Sequence, residues 1–351
     1  MARRTLTAAA ILTALAAPAQ AQPEYSFTLT TWVPENNQSF IDYVQVFVDN
    51  VHAMTDGRVE IQAFGAGVIA GPFEGWQAVQ KGTADMAYMF PAFLSNQDPT
   101  NAIVAAMPAG MPVETLVHWL YVGGGEDLWR EFRRETMGLQ AIIAGAGPTE
   151  IFLHSNVPIR TGADLEGVKV RTAGAWAEII TEFGASPTVM PPAEIFTSLE
   201  RGVIDATEYA SPAANILAGY HDVADYIIVP GVHATSFAYE MVMQAETWDA
   251  LPDDLKEKIE MAARLTTFDS MLRTDDKDIA AMQEFLAGDN EIIELDPAFI
   301  EEVRIATAAW AQETAAAQEE AGNPWFGRIY DSYTAYQDAW RTASIYRWTD
   351  E

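Results

Sequence analysis

Apolar and polar positions in the first ninety residues of the chain predict alternating strands and helices. Residues 25–32 alternate as a strand does, whereas the apolar positions of 40–54 recur at helical spacing. A second strand over 58–64, a short helix over 72–80 and a third strand over 85–90 follow. This β-α-β-α-β order is typical of a parallel α/β lobe.

The same order of elements returns later in the chain. Strands and helices are predicted at 168–172, 175–183, 193–199 and 204–209. Residues 78–85 and 198–205 also match each other as a helix end, a glycine C-cap and the start of a strand. We therefore expect two similar α/β lobes that face each other across a ligand cleft. The alternating residues 237–243 predict a strand that returns to the first lobe, so that the crossing chain forms a hinge.

The last hundred residues are predicted to be long helices, over 253–286, 297–322 and 325–348. The final helix carries large apolar side chains at Trp325, Phe326, Ile329, Tyr330, Tyr333, Tyr336, Trp340 and Tyr346. Such a stripe either packs beneath the protein's own lobes or covers a partner. The expected division is lobe I at 22–147 plus about 236–275, lobe II at 148–235 plus about 276–322, and a C-terminal helix at 323–351.

Charge and composition narrow the class of protein. The chain of 351 residues has 50 acidic and 20 basic residues, a formal net charge of −30, which opposes nucleic-acid binding. It contains no cysteine, which excludes disulfides and thiolate sites. Arg3 and Arg4, the apolar stretch 6–17 and the small residues around Ala21 predict a signal peptide that is cleaved after Ala21. We therefore expect an exported protein.

The sequence shows no catalytic signature. Residues 65–71 imitate a glycine-rich dinucleotide loop, but Glu74 follows in the first helical turn, where an acid would meet pyrophosphate. A flexible loop beside the cleft is the better interpretation. The five histidines show no i, i+4 pair that would build a metal-binding face, and we expect them to be structural. We expect no enzyme activity.

Strand ends supply the candidate binding residues, because ligands of open α/β sheets bind at the carboxyl ends of strands. Arg171 ends an apolar strand, where its guanidinium would grip a carboxylate, although a salt bridge to an acidic side chain is an alternative. Glu208 ends another strand and would pair with Arg171 or with a cation. Aromatic residues that would wall a small ligand, or lie in the core, are Trp32, Tyr88, Phe90, Tyr209 and Phe237.

Several segments resemble the solute-binding proteins of tripartite ATP-independent periplasmic (TRAP) transporters. The most specific is 158–171, which contains Pro158-Ile159, Asp164-Leu165-Glu166-Gly167 and Lys169-Val170-Arg171 in the order of that family. The remaining similar segments are 55–61, 78–86, 202–209, 226–231 and 248–252. The resemblance implies a two-lobed periplasmic binding protein fold, with Arg171 as the carboxylate clamp.

Within the family, the chain looks most like the branch that binds 2-oxo and 2-hydroxy monocarboxylates. Members of that branch dimerise through the C-terminal helix and hold the acid partly through a cation. The resemblance implies that Glu208 and the backbone carbonyl of Tyr209 would coordinate a Na⁺ or Ca²⁺ ion that bridges to the ligand.

The chain departs from that branch at three positions. Tyr209 stands where the branch often has tryptophan, and His233 lies where it has a further acidic ligand. The glutamine expected near 147–150 is not evident, so that Thr149 or Glu150 would contact the ligand instead.

The expected function is therefore capture of a small organic carboxylate, a 2-oxo or 2-hydroxy acid, and its delivery to a TRAP membrane permease. Besides binding the permease, the chain is expected to form a homodimer. One alternative is a secreted enzyme that uses Glu208 with Tyr209 or His233 as acid and base. Another is a ligand-sensing protein of the same fold.

Overall fold

The computed structural model describes residues 22–347. Its strands are β1 (Tyr25–Thr31), β2 (Val59–Phe64), β3 (Met86–Met89), β4 (Leu139–Gly147), β5 (Leu153–Ser155), β6 (Lys169–Arg171), β7 (Ser186–Thr188), β8 (Ala206–Thr207), β9 (Tyr226–Val229), β10 (Phe237–Gln244) and β11 (Glu291–Glu294). The predicted signal peptide, at residues 1–21, lies outside the described residues.

The α-helices alternate with the strands in the first part of the chain and then follow one another. They are α1 (Gln45–Met54), α2 (Gly75–Gln80), α3 (Asn101–Ala105), α4 (Val113–Tyr121), α5 (Gly125–Met137), α6 (Trp176–Ile179), α7 (Pro192–Glu200), α8 (Pro212–Ala218), α9 (Ala245–Asp249), α10 (Asp253–Ala287), α11 (Pro297–Glu320) and α12 (Trp325–Ala343). A π-helical turn, Phe40–Val44, precedes α1. None of the helices within 22–347 has the length and apolar character that crossing a membrane requires.

The strands form two sheets, one in each lobe. The first has the order β2-β1-β3-β10-β4 and the second β11-β9-β5-β8-β6-β7. In the first sheet β1 is parallel to β2 and β3, whereas β10 is antiparallel to β3 and β4. The predicted two-lobed α/β architecture with long C-terminal helices is confirmed.

Three connections carry the chain between the lobes before α11, and α12 then returns to pack on the first lobe. Residues 148–152 lead from β4 to β5, and residues 230–236 return from β9 to β10. The third crossing is α10, which packs on α1 and β4 in the first lobe and on α8 in the second. Lys277 of α10 donates to both carboxylate oxygens of Asp42 at 2.7 Å, while the next residue, Asp278, accepts from Ser211 and Ala213. Of these two neighbouring residues of α10, Lys277 thus contacts the first lobe and Asp278 contacts the second.

The predicted correspondence between 78–85 and 198–205 is confirmed. Gly82 and Gly202 end their helices with positive φ angles of 71° and 68°, a conformation that glycine adopts without steric cost. Asp85 then accepts from the backbone N–H of Thr28 at 2.8 Å, and Asp205 accepts from that of Lys169 at 2.9 Å. The same contact therefore starts the parallel strand in each lobe.

The three predicted C-terminal helices are present as α10, α11 and α12. The buried members of the aromatic stripe on α12 are Trp325, Phe326, Ile329 and Tyr333. They pack against α3, α4, α5 and α11 of the same chain, and the hydroxyl of Tyr333 accepts from the backbone N–H of Met111 at 2.5 Å. The inner half of this stripe is therefore core. Tyr346 is exposed, and Trp348 lies outside the described residues.

Candidate functional site

Two neighbouring strands of the second sheet end together at the cleft. β6 and β8 run parallel with Arg171 beside Thr207, so Glu208, the first residue after β8, emerges next to Arg171. The backbone N–H of Glu208 donates to the carbonyl oxygen of Arg171 at 3.2 Å. β8 has only two residues, shorter than the strand predicted over 204–209, and Glu208 and Tyr209 leave the sheet to face the cleft.

The guanidinium of Arg171 is fixed on one side and available on the other. Its Nε and Nη2 atoms donate to the carbonyl oxygen of Met190 at 3.4 and 3.3 Å, and Nη1 donates to the carbonyl oxygen of Glu208 at 2.9 Å. Nη1 also forms a 3.3 Å ion pair with Oε1 of Glu208. A guanidinium has five N–H groups, so one hydrogen on Nη2 has no acceptor among the described residues, whereas the second hydrogen of Nη1 faces the carboxylate of Glu208. A bidentate carboxylate contact needs two such donors.

Two further polar side chains come from the segments that cross between the lobes. Glu150 lies on the first crossing and His233 on the second, and Nε2 of His233 is 3.2 Å from Oε2 of Glu150. The backbone N–H of Glu150 donates to the carbonyl oxygen of Ala234 at 3.1 Å. Gly231 permits this approach, because a Cβ at that position would lie 2.0 Å from the carbonyl oxygen of Glu150.

Glu150, Glu208 and His233 form a buried cluster whose ligand atoms lie within 4.8 Å of one another. Burial raises the pKa of Glu150 to about 8, against the lowering effect of Arg171. Burial also raises the pKa of Glu208, again opposed by Arg171. Burial lowers the pKa of His233 to about 4, so its imidazole is neutral at pH 7.

The donor set of this cluster fits a hard cation. Two carboxylates supply the oxygen ligands that Na⁺ and Ca²⁺ take in proteins, and within residues 22–347 the Glu150 carboxylate accepts a contact from His233 alone. The Nδ1 atom of His233 is buried and has no hydrogen-bond partner among the described residues. Because Nε2 of His233 faces Glu150, His233 would orient that carboxylate while the two glutamates supply the oxygen ligands.

Aromatic rings from the first lobe close the opposite side of the cleft. Trp32 follows β1 and Phe90 follows β3, and their rings lie 4.8 and 5.6 Å from that of Tyr239 on β10. These rings and the polar residues of the second lobe border one cavity between the lobes. Six of the residues predicted from the sequence line it: Trp32, Phe90, Glu150, Arg171, Glu208 and Tyr209.

Four other predicted residues lie outside this lining. Tyr88 is fully buried and donates to the carbonyl oxygen of Ala144 at 2.5 Å. Phe237 lines a neighbouring cavity, and His233 lies behind Glu150. Thr149 is exposed and donates to the carbonyl oxygen of Thr235 at 2.9 Å. Its neighbour Glu150 is the one that turns inward.

Sequence reasoning missed several pocket residues. Tyr239 lies two positions after Phe237 on the same face of β10, so the period of a strand was the available signal. Ser39 lies in the first turn of the helical segment that leads into α1, and Phe93 lies in a short 3₁₀-helix, Pro91–Leu94, which the apolar pattern did not predict. The carbonyl of Met190, which anchors Arg171, is a backbone group that no sequence motif marks.

One side-chain hydrogen bond spans the mouth of the cleft. Nδ2 of Asn37, in the loop after β1, donates to the hydroxyl of Tyr209 at 3.1 Å. Asn37 belongs to the first lobe and Tyr209 to the second, so this contact exists only while the lobes are close together. Tyr209 therefore serves as both wall and latch of the cleft.

Comparison with known proteins identifies the family of this chain. The model described as bacterial extracellular solute-binding protein, family 7, matches residues 30–318. A monocarboxylate 2-oxoacid-binding periplasmic protein of Nostoc sp. is 25% identical over 275 residues, which are 77% of this chain and 74% of that protein.

Two crystal structures share the fold. One is a TRAP transporter solute-binding protein of Bordetella bronchiseptica with copurified calcium and picolinate, at 22% identity and a TM-score of 0.85, covering 92% of this chain and 94% of that one. The other is a TRAP periplasmic solute-binding protein of Pseudoalteromonas atlantica with bound sodium and pyruvate, at 24% identity and a TM-score of 0.84, covering 92% and 96%. Since the family model covers most of the chain, this protein belongs to the bacterial extracellular solute-binding proteins, family 7.

Proposed function

We propose that this protein captures a small monocarboxylate with a 2-oxo or 2-hydroxy group in the periplasm and delivers it to a TRAP membrane permease. The observation that carries the proposal is Arg171, a buried guanidinium in the cleft with one hydrogen left on Nη2 and a second, on Nη1, held only by the 3.3 Å contact with the Glu208 carboxylate. The Nostoc relative is named for binding monocarboxylate 2-oxoacids, which supports the ligand class. The two lobes would close on the acid as a hinge.

A cation is the second component of the proposed site. Glu150 and Glu208 place two carboxyl groups beside a single guanidinium, so an anionic ligand further opposes the ionisation of both. A Na⁺ or Ca²⁺ ion held by both carboxylates, and by the backbone carbonyl of Tyr209, would supply the missing positive charge. The ion would bridge to the 2-oxygen of the ligand while Arg171 binds the carboxylate.

We also propose that the protein binds its ligand without converting it. The rival enzyme would need an acid and a base that reach the ligand, and His233 lies behind Glu150 instead of in the pocket lining. The family consists of substrate-binding receptors. Turnover of a bound acid, followed by NMR over hours, would instead support the enzyme.

Calorimetry on the purified chain, stripped of copurified ligand, tests the proposal. Pyruvate and 2-hydroxypropanoate should bind in the presence of Ca²⁺, whereas propanoate, which lacks the 2-oxygen, should bind at least ten-fold more weakly. Arg171→Lys should weaken binding of both acids because lysine cannot form the bidentate contact. The exposed Arg160→Lys is the matched control and should bind as the wild type does.

If neither 2-substituted acid binds at millimolar concentration with Ca²⁺ or Na⁺ present, the proposed ligand class is wrong. If propanoate binds as tightly as the 2-substituted acids, a cation that bridges to the 2-oxygen is ruled out, and only the carboxylate contact of Arg171 remains supported.

A further inference from the structure

The outer face of α10 carries an unusual row of exposed apolar side chains. Met261, Leu265, Phe268, Leu272 and Ile279 are 60%, 44%, 47%, 64% and 63% exposed. We call these five residues the α10 stripe. Large apolar side chains scattered singly on a surface need no explanation, but a contiguous row of them marks an interaction site.

The stripe has the spacing of a helix-pairing seam. Its members are separated by four, three, four and seven residues, which is the a/d pattern of a heptad repeat. At 3.6 residues per turn they fall within an arc of about 60° and run for about 27 Å along the helix. The fold uses little of this face: the ring of Phe268 lies 6.3 Å from that of Tyr121, whereas α10 packs on β4, α1 and α8 through other positions.

We propose that two copies of the chain pair antiparallel through the α10 stripe. The positions of the stripe are arranged nearly symmetrically on either side of residue 270, so the stripe matches its own reverse. A second copy in reverse would place Met261 opposite Ile279 and Phe268 opposite Leu272, so that every exposed apolar member except Leu265 meets another. Such an isologous contact closes as a two-fold dimer.

Charge supports the same register. Asp275 occupies the one heptad position of the row that is not apolar, and the antiparallel pairing sets it opposite Leu265 and beside Arg264 of the second copy. Arg264 has a half-exposed side chain whose carboxylate contact with Glu126 is long, 3.6 Å. The two-fold symmetry would form the pair between Arg264 and Asp275 twice.

The size of the row suits a dimer. Five half-exposed side chains present on the order of 500 Å² of apolar surface per copy. Two copies together reach roughly 1,000 Å² before the polar flanks are counted, the lower bound for a specific interface. The net charge of −30 opposes association at low ionic strength, whereas salt screens that repulsion and leaves apolar burial intact.

Sedimentation equilibrium of the purified full chain at 0.05 and 0.5 M NaCl is the first test. We expect a dimer at tens of micromolar that tightens with salt. Leu265→Glu combined with Leu272→Glu should give a monomer with unchanged circular dichroism. Ile305→Glu, a 62% exposed apolar residue on α11, is the matched control and should leave the dimer intact.

Because the chain has no cysteine, introduced thiols report the register. Met261→Cys mixed with Ile279→Cys should form an intermolecular disulfide on mild oxidation, whereas each variant alone should not. Cross-linking of either variant with itself would show a parallel pair and overturn the antiparallel proposal. A wild type that remains monomeric at both salt concentrations, or a dimer that survives the paired glutamates, would overturn the stripe as the interface.

Discussion

Replacing Glu150 with glutamine should make the cation-free protein more stable at neutral pH. The side chain is buried among Glu208 and Arg171, and burial raises its pKa from an ordinary value of 4.5 to about 8. Between these two values the unfolded chain loses the proton while the folded protein keeps it. The folded state therefore binds more protons, and stability falls as the pH rises.

The size of the effect follows from that interval. At about 1.4 kcal/mol per pH unit, wild-type stability loses about 3 kcal/mol between pH 4.5 and pH 7, and about 5 kcal/mol once the pH exceeds 8. Glu150→Gln cannot titrate and loses none of this. His233 makes stability rise with pH between pH 4 and 6.5. Both proteins contain His233, so the difference in stability between them isolates the effect of Glu150.

Urea denaturation from pH 5 to 8.5 in the presence of EDTA measures the difference. The two curves should diverge as the pH rises, with the variant more stable by about 3 kcal/mol at pH 7. Saturating Ca²⁺ should reverse the order, because the ion binds the ionised carboxylate of the wild type and stabilises only the state that holds it. Glu294→Gln, an exposed glutamate in β11, is the control.

Parallel pH profiles for wild type and Glu150→Gln in EDTA would refute this reasoning. They would mean that Glu150 is ionised in the folded protein at pH 7, with water or another donor compensating the buried charge. Stabilisation of the variant by Ca²⁺ to the same degree as the wild type would remove Glu150 from the cation site.

Three other predictions follow from single contacts. Arg171→Ala should weaken binding of a 2-oxo acid by about 2 to 5 kcal/mol in calorimetry, since it removes one partner of a buried charge pair; unchanged affinity would contradict the clamp. Tyr209→Phe removes the hydroxyl that accepts from Asn37 and should weaken binding up to about ten-fold, mainly by faster release in stopped-flow; an unchanged release rate would show that the latch is not used. Glu240→Met, at a carboxylate contacted by Arg133, should cost about 3 to 5 kcal/mol of stability in urea unfolding; a loss below about 1 kcal/mol would contradict it.

Much of the second lobe's contribution to the site could be predicted from the sequence. Arg171 and Glu208 each follow a short apolar strand, and adjacent parallel strands bring their ends to one edge. The aromatic residues Trp32 and Phe90 follow the same rule in the first lobe. Strand periodicity and strand ends are local features, so a sequence pattern exposes them.

The edge strand of the first sheet, β4, carried no such signal. All nine residues of β4 are buried, so it shows no alternation between apolar and polar positions. The carboxylate of Glu240 is fully buried and accepts from Trp76 at 2.6 Å, Trp129 at 2.7 Å and Arg133 at 2.8 Å. These donors lie more than a hundred residues away along the chain. Their meeting depends on tertiary structure, which no local spacing records.

The position of the acidic cluster links binding to closure. Glu150 lies on the crossing segment 148–152 and His233 on the crossing segment 230–236. Arg171 and Glu208 belong to the second lobe alone. An ion shared by Glu150 and Glu208 would therefore tie the hinge to the lobe that holds the ligand carboxylate. Because cation and acid each offset the charge of the other, each should raise the affinity of the other by the same factor. The latch of Asn37 on Tyr209 would then close a cleft whose charge is already balanced.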